Sequence, residues 1–545
     1  MLIFLKNNKS YYIYILFFIL FVAGFNIYKD YGISIDEDNT RINGFVGLRY
    51  IYDTFGFKYD GILNNFPKIN DFPEKGIGYI FDVPTAFIEY RFNIGDSRDY
   101  FLLRHLINFL YFFIGAIFFY LILKNRYKST VLPFIGVLFF VLSPRIFAHS
   151  FFNNKDIIFL SLFLIATFFV IKTLKNPSLI NSTSASLFIG LATGMRIFGI
   201  FLGIILFFFL VIKFLRNEKK KKTIRAILCV LISVPIFTVL FYPFLWSNPI
   251  SNFLFIFDRL SNFDIDLYNF YSGMYIKAKN IPWDYSLLWI YATTPIIYLI
   301  FFTLGFTLMV IRIFFRLMNI QDKKIYNDLW RGDNEMIDLV FFSIIFFPIF
   351  FIIIINATLY GGLRHLFFIY PFVLIISIYG INLFRIKYLR RSANFFYIFI
   401  FLSMAPTVNW MIKNHPNQHV YFNIFFKKNF DKLFELDYWG VSINQHLNYI
   451  NKTHKGNYKI TNFGNMDLIL NRNFLKKDKR SKMIITDDIF ESDYVISNNI
   501  FWNGRILKNS YLLKNNFSKI HEVIVDEKTI SSVYINKFKK NLPLK

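Results

Sequence analysis

Apolar runs near the ~20 residues that an α-helix needs to cross a hydrocarbon core recur along the chain, with Lys and Arg gathered in the stretches between them. Such runs fall at residues 11–28, 101–123, 130–147, 156–173, 224–245, 286–312, 337–356, 366–384 and 393–411. With 55% hydrophobic and 21% aromatic residues, the chain reads as an integral membrane protein rather than a soluble multidomain one. The 61 Lys and Arg against 35 Asp and Glu would suggest a nucleic-acid partner in a soluble chain. Here the basic residues lie between apolar spans, so the positive-inside bias accounts for them and no nucleic acid is implied. The single cysteine, Cys229, lies inside an apolar run, which leaves no intramolecular disulfide and no cysteine metal site.

The charge pattern sets the topology. Lys6 and Lys9 precede the first run, no small-residue cleavage site follows it, and the N-terminus is therefore read as cytoplasmic with the span retained. Residues 30–98 then form a large outer loop, with a short amphipathic helix over Ile42–Tyr52 at the membrane interface. Lys124, Arg126 and Lys128 mark one turn as cytoplasmic and Lys172 and Lys175 another, so Ser143 to Asp156 lies on the outer side. The run at 184–212 is long for one span and is interrupted at Gly194-Met195-Arg196, while both of its flanks are basic. Two short helices with Arg196 at their outer apex reconcile those flanks. About eleven spans result, which places the C-terminal part outside.

From about residue 412 the composition turns to Asn, Lys and Asp with short β-rich runs at Met483–Thr486, Tyr494–Ser497, His521–Val525 and Ser532–Asn536. Asp526-Glu527-Lys528 is a turn joining the last two as a hairpin, and Val441, Leu447 and Ile450 mark a short helix. The expected architecture is mainly α. A polytopic transmembrane domain over 1–411 is followed by a small extracytoplasmic α+β domain over 412–545.

Four polar clusters are assigned to the outer face: Asp36-Glu37-Asp38; Arg145, His149, Lys155 and Asp156; Arg196; and Gly361 to His365. Each has a plain structural reading, such as a helix-end charge for Asp156 or headgroup anchoring for Arg364 and His365. Trp246, Trp283 and Trp289 read as interface-belt residues. Arg and His on an outer loop nevertheless run against the positive-inside bias. Carboxylates beside arginines at a membrane surface suit sugar transfer from a polyprenyl-phosphate carrier. The phosphate leaving group needs charge stabilisation rather than a proton, so one general base suffices in place of a hydrolase's two carboxyls. Arg364 and Arg196 would hold that phosphate.

The segments YGISIDEDNTR, LRHLINF, SPRIFAHSFFNNKDI, GLATGMRIFGI, LYGGLRHLFFIYP, HPNQHVYFN and ELDYWG together touch most of the chain. In this order they resemble bacterial members of the GT-C glycosyltransferases, in the protein O-mannosyltransferase-like branch. The resemblance implies an inverting transferase that uses a polyprenyl-phosphate sugar, often mannose-like, at the outer face of the cytoplasmic membrane. It places Asp36 as the first-loop catalytic acid with Glu37 its neighbour, and Asp156 as the second-loop acid. Arg364 and His365 fall near the carrier phosphate, with Arg196 and Lys155 as further basic contacts. Asp38 follows the pair directly, so which of the three acids is the base stays open. No counterpart of the eukaryotic enzymes' additional lumenal domain is present, and the acceptor stays open among protein, lipid and glycan. Asp36, Glu37 and Asp156 could hold one divalent cation or none. The rival from another class is a polytopic transporter or lipid flippase of the cell-envelope glycan pathway, which predicts charges deep within spans and two similar halves. A non-catalytic assembly subunit is the third reading.

Overall fold

Two helices within the loop expected at 30–98 pack on each other. The computed structural model describes residues 11–260, 262, 267–320, 328–464, 466–498, 500 and 510–539. After α1 (Tyr11–Ile27), α2 runs over Glu37–Phe55 and α3 over Tyr79–Arg91. Both are longer and more buried than a short interfacial helix would be. α2 presents Asn43, Gly44 and Gly47 to α3, and a Cβ at Gly44 would come within 2.2 Å of the Asp82 carbonyl. Small residues on this face let the two backbones touch, which a sequence pattern of large apolar residues does not reveal.

The helices of the membrane part follow: α4 (Ser97–Arg126), α5 (Val131–Val141), α6 (Pro144–Phe152), α7 (Asp156–Lys175), α8 (Leu179–Met195), α9 (Ile200–Leu215) and α10 (Lys220–Leu240). After α11 (Pro249–Asp258) and an antiparallel hairpin, β1 (Tyr268–Tyr271) and β2 (Met274–Lys277), come α12 (Tyr285–Thr293), α13 (Ile296–Met318), α14 (Asp333–Ile354), α15 (Tyr370–Tyr388) and α16 (Ala393–Lys413). Among the described residues, eight helices are long and apolar enough to cross a membrane, or nine when α5 and α6 count as one broken span. The count of eleven would also need α1 and α8, two apolar helices of 17 residues each. The run expected at 130–147 as one span is bent by 62° between α5 and α6. Pro144, in the first turn of α6, lacks the N–H that would continue the α5 ladder.

In the apolar stretches of α7 and of Arg364–Tyr388, 89% of the residues are buried, so these two form the centre of the bundle, around which the other helices pack. At the end of the bundle away from Asp36, Asp338 accepts from Arg126 Nε at 2.6 Å and from Arg312 Nη1 at 3.1 Å. This one buried acid bridges two of the arginines that mark the basic side of the bundle.

Beyond α16 a five-stranded mixed sheet has the order β4-β3-β5-β7-β6, with β3 (Tyr458–Asn462), β4 (Met483–Ile485), β5 (Tyr494–Ser497), β6 (Phe517–Val525) and β7 (Lys528–Asn536). The last two form the hairpin expected from the sequence, and Asp526 and Glu527 at its turn have φ of 48° and 64°. Helix α17 (Ile443–Thr453) lays Ile443, Leu447 and Ile450 against Tyr458, Ile460, Ile496 and Val533, which makes a small core of its own. Polar contacts hold this unit to the membrane part: Arg480 Nη2 donates to Asp96 at 2.7 Å, and Trp410 Nε1 donates to Asp526 at 2.8 Å. Trp289, expected in the interface belt, is instead 1% exposed and packs against Phe422 and Phe434.

Candidate functional site

Successive residues of a helix's first turn point about 100° apart, and the three consecutive acids at the start of α2 consequently face three different surroundings. Asp36 caps α2 through its carbonyl, which accepts from Thr40 N at 3.1 Å, and its side chain makes no cap bond; Oδ2 instead accepts from Arg364 Nη1 at 2.9 Å. Glu37 is 1% exposed, accepts from Ser34 N at 2.7 Å, and lies 2.9 Å from His105 Nε2. Asp38 is half-buried, and burial together with Asp467 pushes its carboxyl up although Arg41 opposes this. Only Asp36 turns towards the cluster of basic residues named from the sequence. Burial by itself would raise its pKa, but Lys155, Arg364 and Arg196 outweigh burial and hold Asp36 below the usual carboxylate range.

Arg364 is 3% exposed and comes from the turn before α15. Gly361, at φ +67°, lets that turn reverse, and a Cβ there would press on the Tyr438 ring at 3.0 Å. The guanidinium lies 4.5 Å from the Tyr360 ring centroid, 4.8 Å from that of Trp439 and 5.7 Å from that of Tyr438, while its Nε donates to His365 Nε2 at 3.3 Å. This aromatic collar holds the cation in place without neutralising it. Tyr438 and Trp439 belong to the ELDYWG segment, so the C-terminal sequence completes the surroundings of Arg364.

Asp156 begins α7. It accepts from Asn153 Nδ2 at 2.9 Å, and its other oxygen pairs with the Arg196 guanidinium. The chain turns between α8 and α9 at Arg196, where the backbone is extended, as the basic flanks of that run led us to expect. A Cβ at Gly199 would strike the Thr193 amide nitrogen at 2.4 Å, so the turn closes only with glycine there. Lys155 Nζ lies 3.2 Å from Glu74 Oε2, and Asp36 and Glu74 outweigh burial to raise its pKa.

Arg196 and His365 both line a cleft of about 130 Å³. Ile197, Phe198, Ile256, Leu260 and Leu359 form its apolar wall, and Lys75, Arg259 and Tyr360 add polar groups. His365 Nδ1 and Arg196 Nε make no hydrogen bond among the described residues although both are buried. An apolar trough with cationic groups at one end can hold a lipid that carries an anionic head. The acids do not converge as metal ligands would. Asp36 faces Arg364, Glu37 faces His105 and Asp156 faces Arg196, and no group of three or more His, Cys, Asp or Glu among the described residues could hold a metal ion.

Sequence reasoning assigned no role to Arg104 and His105 of LRHLINF, or to Asp82. Arg104 is 1% exposed, lies 3.8 Å from Asp82 Oδ1, and its guanidinium makes no hydrogen bond among the described residues. Two basic residues within an apolar run were the available signal.

Residues 88–242 match the dolichyl-phosphate-mannose-protein mannosyltransferase family. The matched stretch contains Asp156 and Arg196, whereas Asp36 and Arg364 lie outside it. The chain is thus similar to the protein O-mannosyltransferase-like GT-C membrane glycosyltransferases. Among solved structures it is similar to ArnT from Cupriavidus metallidurans bound to undecaprenyl phosphate, at 10% identity and TM-score 0.45, covering 96% of this chain and 98% of that one. It is also similar to the archaeal oligosaccharyltransferase AglB from Archaeoglobus fulgidus, in complex with an inhibitory peptide and a dolichol-phosphate. Here the identity is 11% and the TM-score 0.43, over 98% of this chain and 75% of that one. No curated protein matches the chain by sequence.

Proposed function

We propose that this multi-pass membrane protein transfers a sugar, mannose-like, from a polyprenyl-phosphate carrier to an acceptor hydroxyl. Transfer takes place with inversion at the outer face of the cytoplasmic membrane. The observation that carries this reading is the Asp36–Arg364 pair, set among Lys155, Arg196 and His365 beside an apolar cleft. The dolichyl-phosphate-mannose in the matched family's description is a carrier of this class.

In the proposed reaction the acceptor oxygen attacks the anomeric carbon while Asp36 takes its proton. The bond from the anomeric carbon to the phosphate oxygen breaks, and its electron pair leaves on the phosphate, which Arg364, Arg196, Lys155 and His365 hold. A carboxylate bonded to Arg364 is a weak base. An arriving phosphate competes for the same guanidinium, loosens its hold on Asp36 and so raises the basicity of that carboxylate as the donor is seated. Glu37 and Asp156 act as positioning residues in this scheme, Glu37 through His105 and the Ser34 amide, Asp156 through Arg196. Residues 1–411 form the catalytic membrane domain, and 412–545 contribute acceptor or assembly contacts.

The test is mass spectrometry of membrane lipids and glycans from cells with the gene, without it, and with the Asp36→Asn version. Accumulation of one polyprenyl-phosphate sugar in the last two is the expected result. Identical lipids in all three would rule the reading out.

A further inference from the structure

A second cavity, of about 280 Å³, shares no lining residue with the cleft at Arg196 and His365. Tyr268, Phe270 and Tyr275 of the β1–β2 hairpin form one wall, Asp431 and Glu435 another, and Thr529 of β7 closes it from the C-terminal sheet. The Glu435 wall is tied to the hairpin by its backbone. Gly273 N donates to Leu433 O at 3.3 Å and Glu435 N donates to Phe270 O at 3.2 Å, so the chain there runs as an added edge to β1.

Glu435 is 7% exposed, and its Oε1 makes no hydrogen bond among the described residues. Burial pushes this carboxyl up to about 8 against the pull of Arg145 and Arg364, so at neutral pH it is largely protonated and can both donate and accept. Asp431 Oδ1 is paired with Lys528 Nζ at 3.3 Å. An unmet buried oxygen such as Glu435 Oε1 costs free energy unless a ligand or water meets it. Phe270 and Tyr275 line the same cavity, half-buried, with ring centroids 4.9 Å apart.

Ring faces together with a protonated carboxyl and a carboxylate match the two surfaces of a pyranose, its C–H face and its hydroxyls. A lipid tail would leave the Glu435 carboxyl unmet. We propose that this cavity is a carbohydrate subsite that holds a neutral sugar ring of the acceptor, which makes the acceptor a glycan. The assignment to the acceptor rests on the transferase reading above.

Saturation-transfer NMR on the full chain in nanodiscs, with methyl α-mannoside, cellobiose and chitobiose as probes, tests the subsite without requiring turnover. At least one probe should receive saturation from the wild type and from Asp36→Asn. Tyr275→Ala, at a half-buried position, and Glu435→Gln should reduce that signal about fivefold or more while gel-filtration profiles stay unchanged. Tyr268→Phe supplies a second variant should Glu435→Gln fail to fold. In a parallel arm, Tyr275→Ala should bind undecaprenyl phosphate and undecaprenyl-phosphoryl mannose as the wild type does. No signal with any probe, or signal indifferent to Tyr275→Ala and Glu435→Gln, would overturn the subsite. Selective loss of the glycosylated carrier would overturn its assignment to the acceptor. Inactive Asp36→Asn with no saccharide signal would leave the transferase reading standing and remove this inference alone.

Discussion

Asp36 Oδ2 and Arg364 Nη1 meet at 2.9 Å across 328 positions of sequence, joining the first loop to the turn before α15. The bond joins the proposed base to the proposed phosphate anchor.

Asp36→Asn retains size and an oxygen acceptor for Arg364 but cannot take up a proton. Turnover with a polyprenyl-phosphate sugar should fall by roughly 10²-fold or more while carrier binding survives. Glu37→Gln and Asp38→Asn should cost less, because these side chains face His105 and Arg41. Single-turnover assays of the three purified variants decide the matter, and near-normal rates for Asp36→Asn would remove it as the base.

Arg364→Lys preserves the charge but loses the planar fork and its packing among Tyr360, Tyr438 and Trp439. Both carrier affinity and turnover should drop, by about tenfold or more each. Equal affinity for undecaprenyl phosphate in wild type and variant, measured by native mass spectrometry, would count against phosphate contact.

The pH dependence should separate free and donor-loaded protein. Lys155, Arg364 and Arg196 hold Asp36 below the ordinary carboxylate range against the effect of burial, so it is ionised and ready at any pH above that lowered value. The acidic limb of kcat/KM should therefore lie below the ordinary carboxylate pKa of about 3.9. With phosphate drawing on Arg364, the acidic limb of kcat should move to higher pH. Coincident limbs would show that the donor does not compete with Asp36.

Asp437 tests a structural role. It is fully buried and accepts from Val441 N, Ser442 N and Ser442 Oγ, with His419 Nε2 at 3.1 Å. Burial would raise its pKa, but His419 and Ser442 outweigh it and lower the folded value. Its contribution to stability is therefore fully present above the unfolded value of about 3.9 and is lost as pH falls through the folded one. Asp437→Asn should destabilise the C-terminal part by about 1–3 kcal/mol, seen as earlier local unfolding in hydrogen exchange, with transfer kept in the folded fraction.

Sequence alone determined the helical membrane part, the break at Arg196, the C-terminal hairpin and the polar clusters assigned to one face. These follow from apolar period, from charge between spans and from turn residues, all of which act within a few residues of chain. It did not foresee the 62° bend at Pro144, the burial of Trp289, or the second helix between 30 and 98, Tyr79–Arg91, on which the expected one packs. Those depend on which surfaces meet, as when Gly44 admits the Asp82 carbonyl. The different surroundings of the three acids were likewise set only in three dimensions. Asp36, Glu37 and Asp38 are equivalent in a string of letters, yet the helix that begins at Glu37 turns each to a separate partner. Arg364, His105 and Arg41 reach those positions from distant helices or the next turn, brought there by tertiary packing that no local pattern encodes.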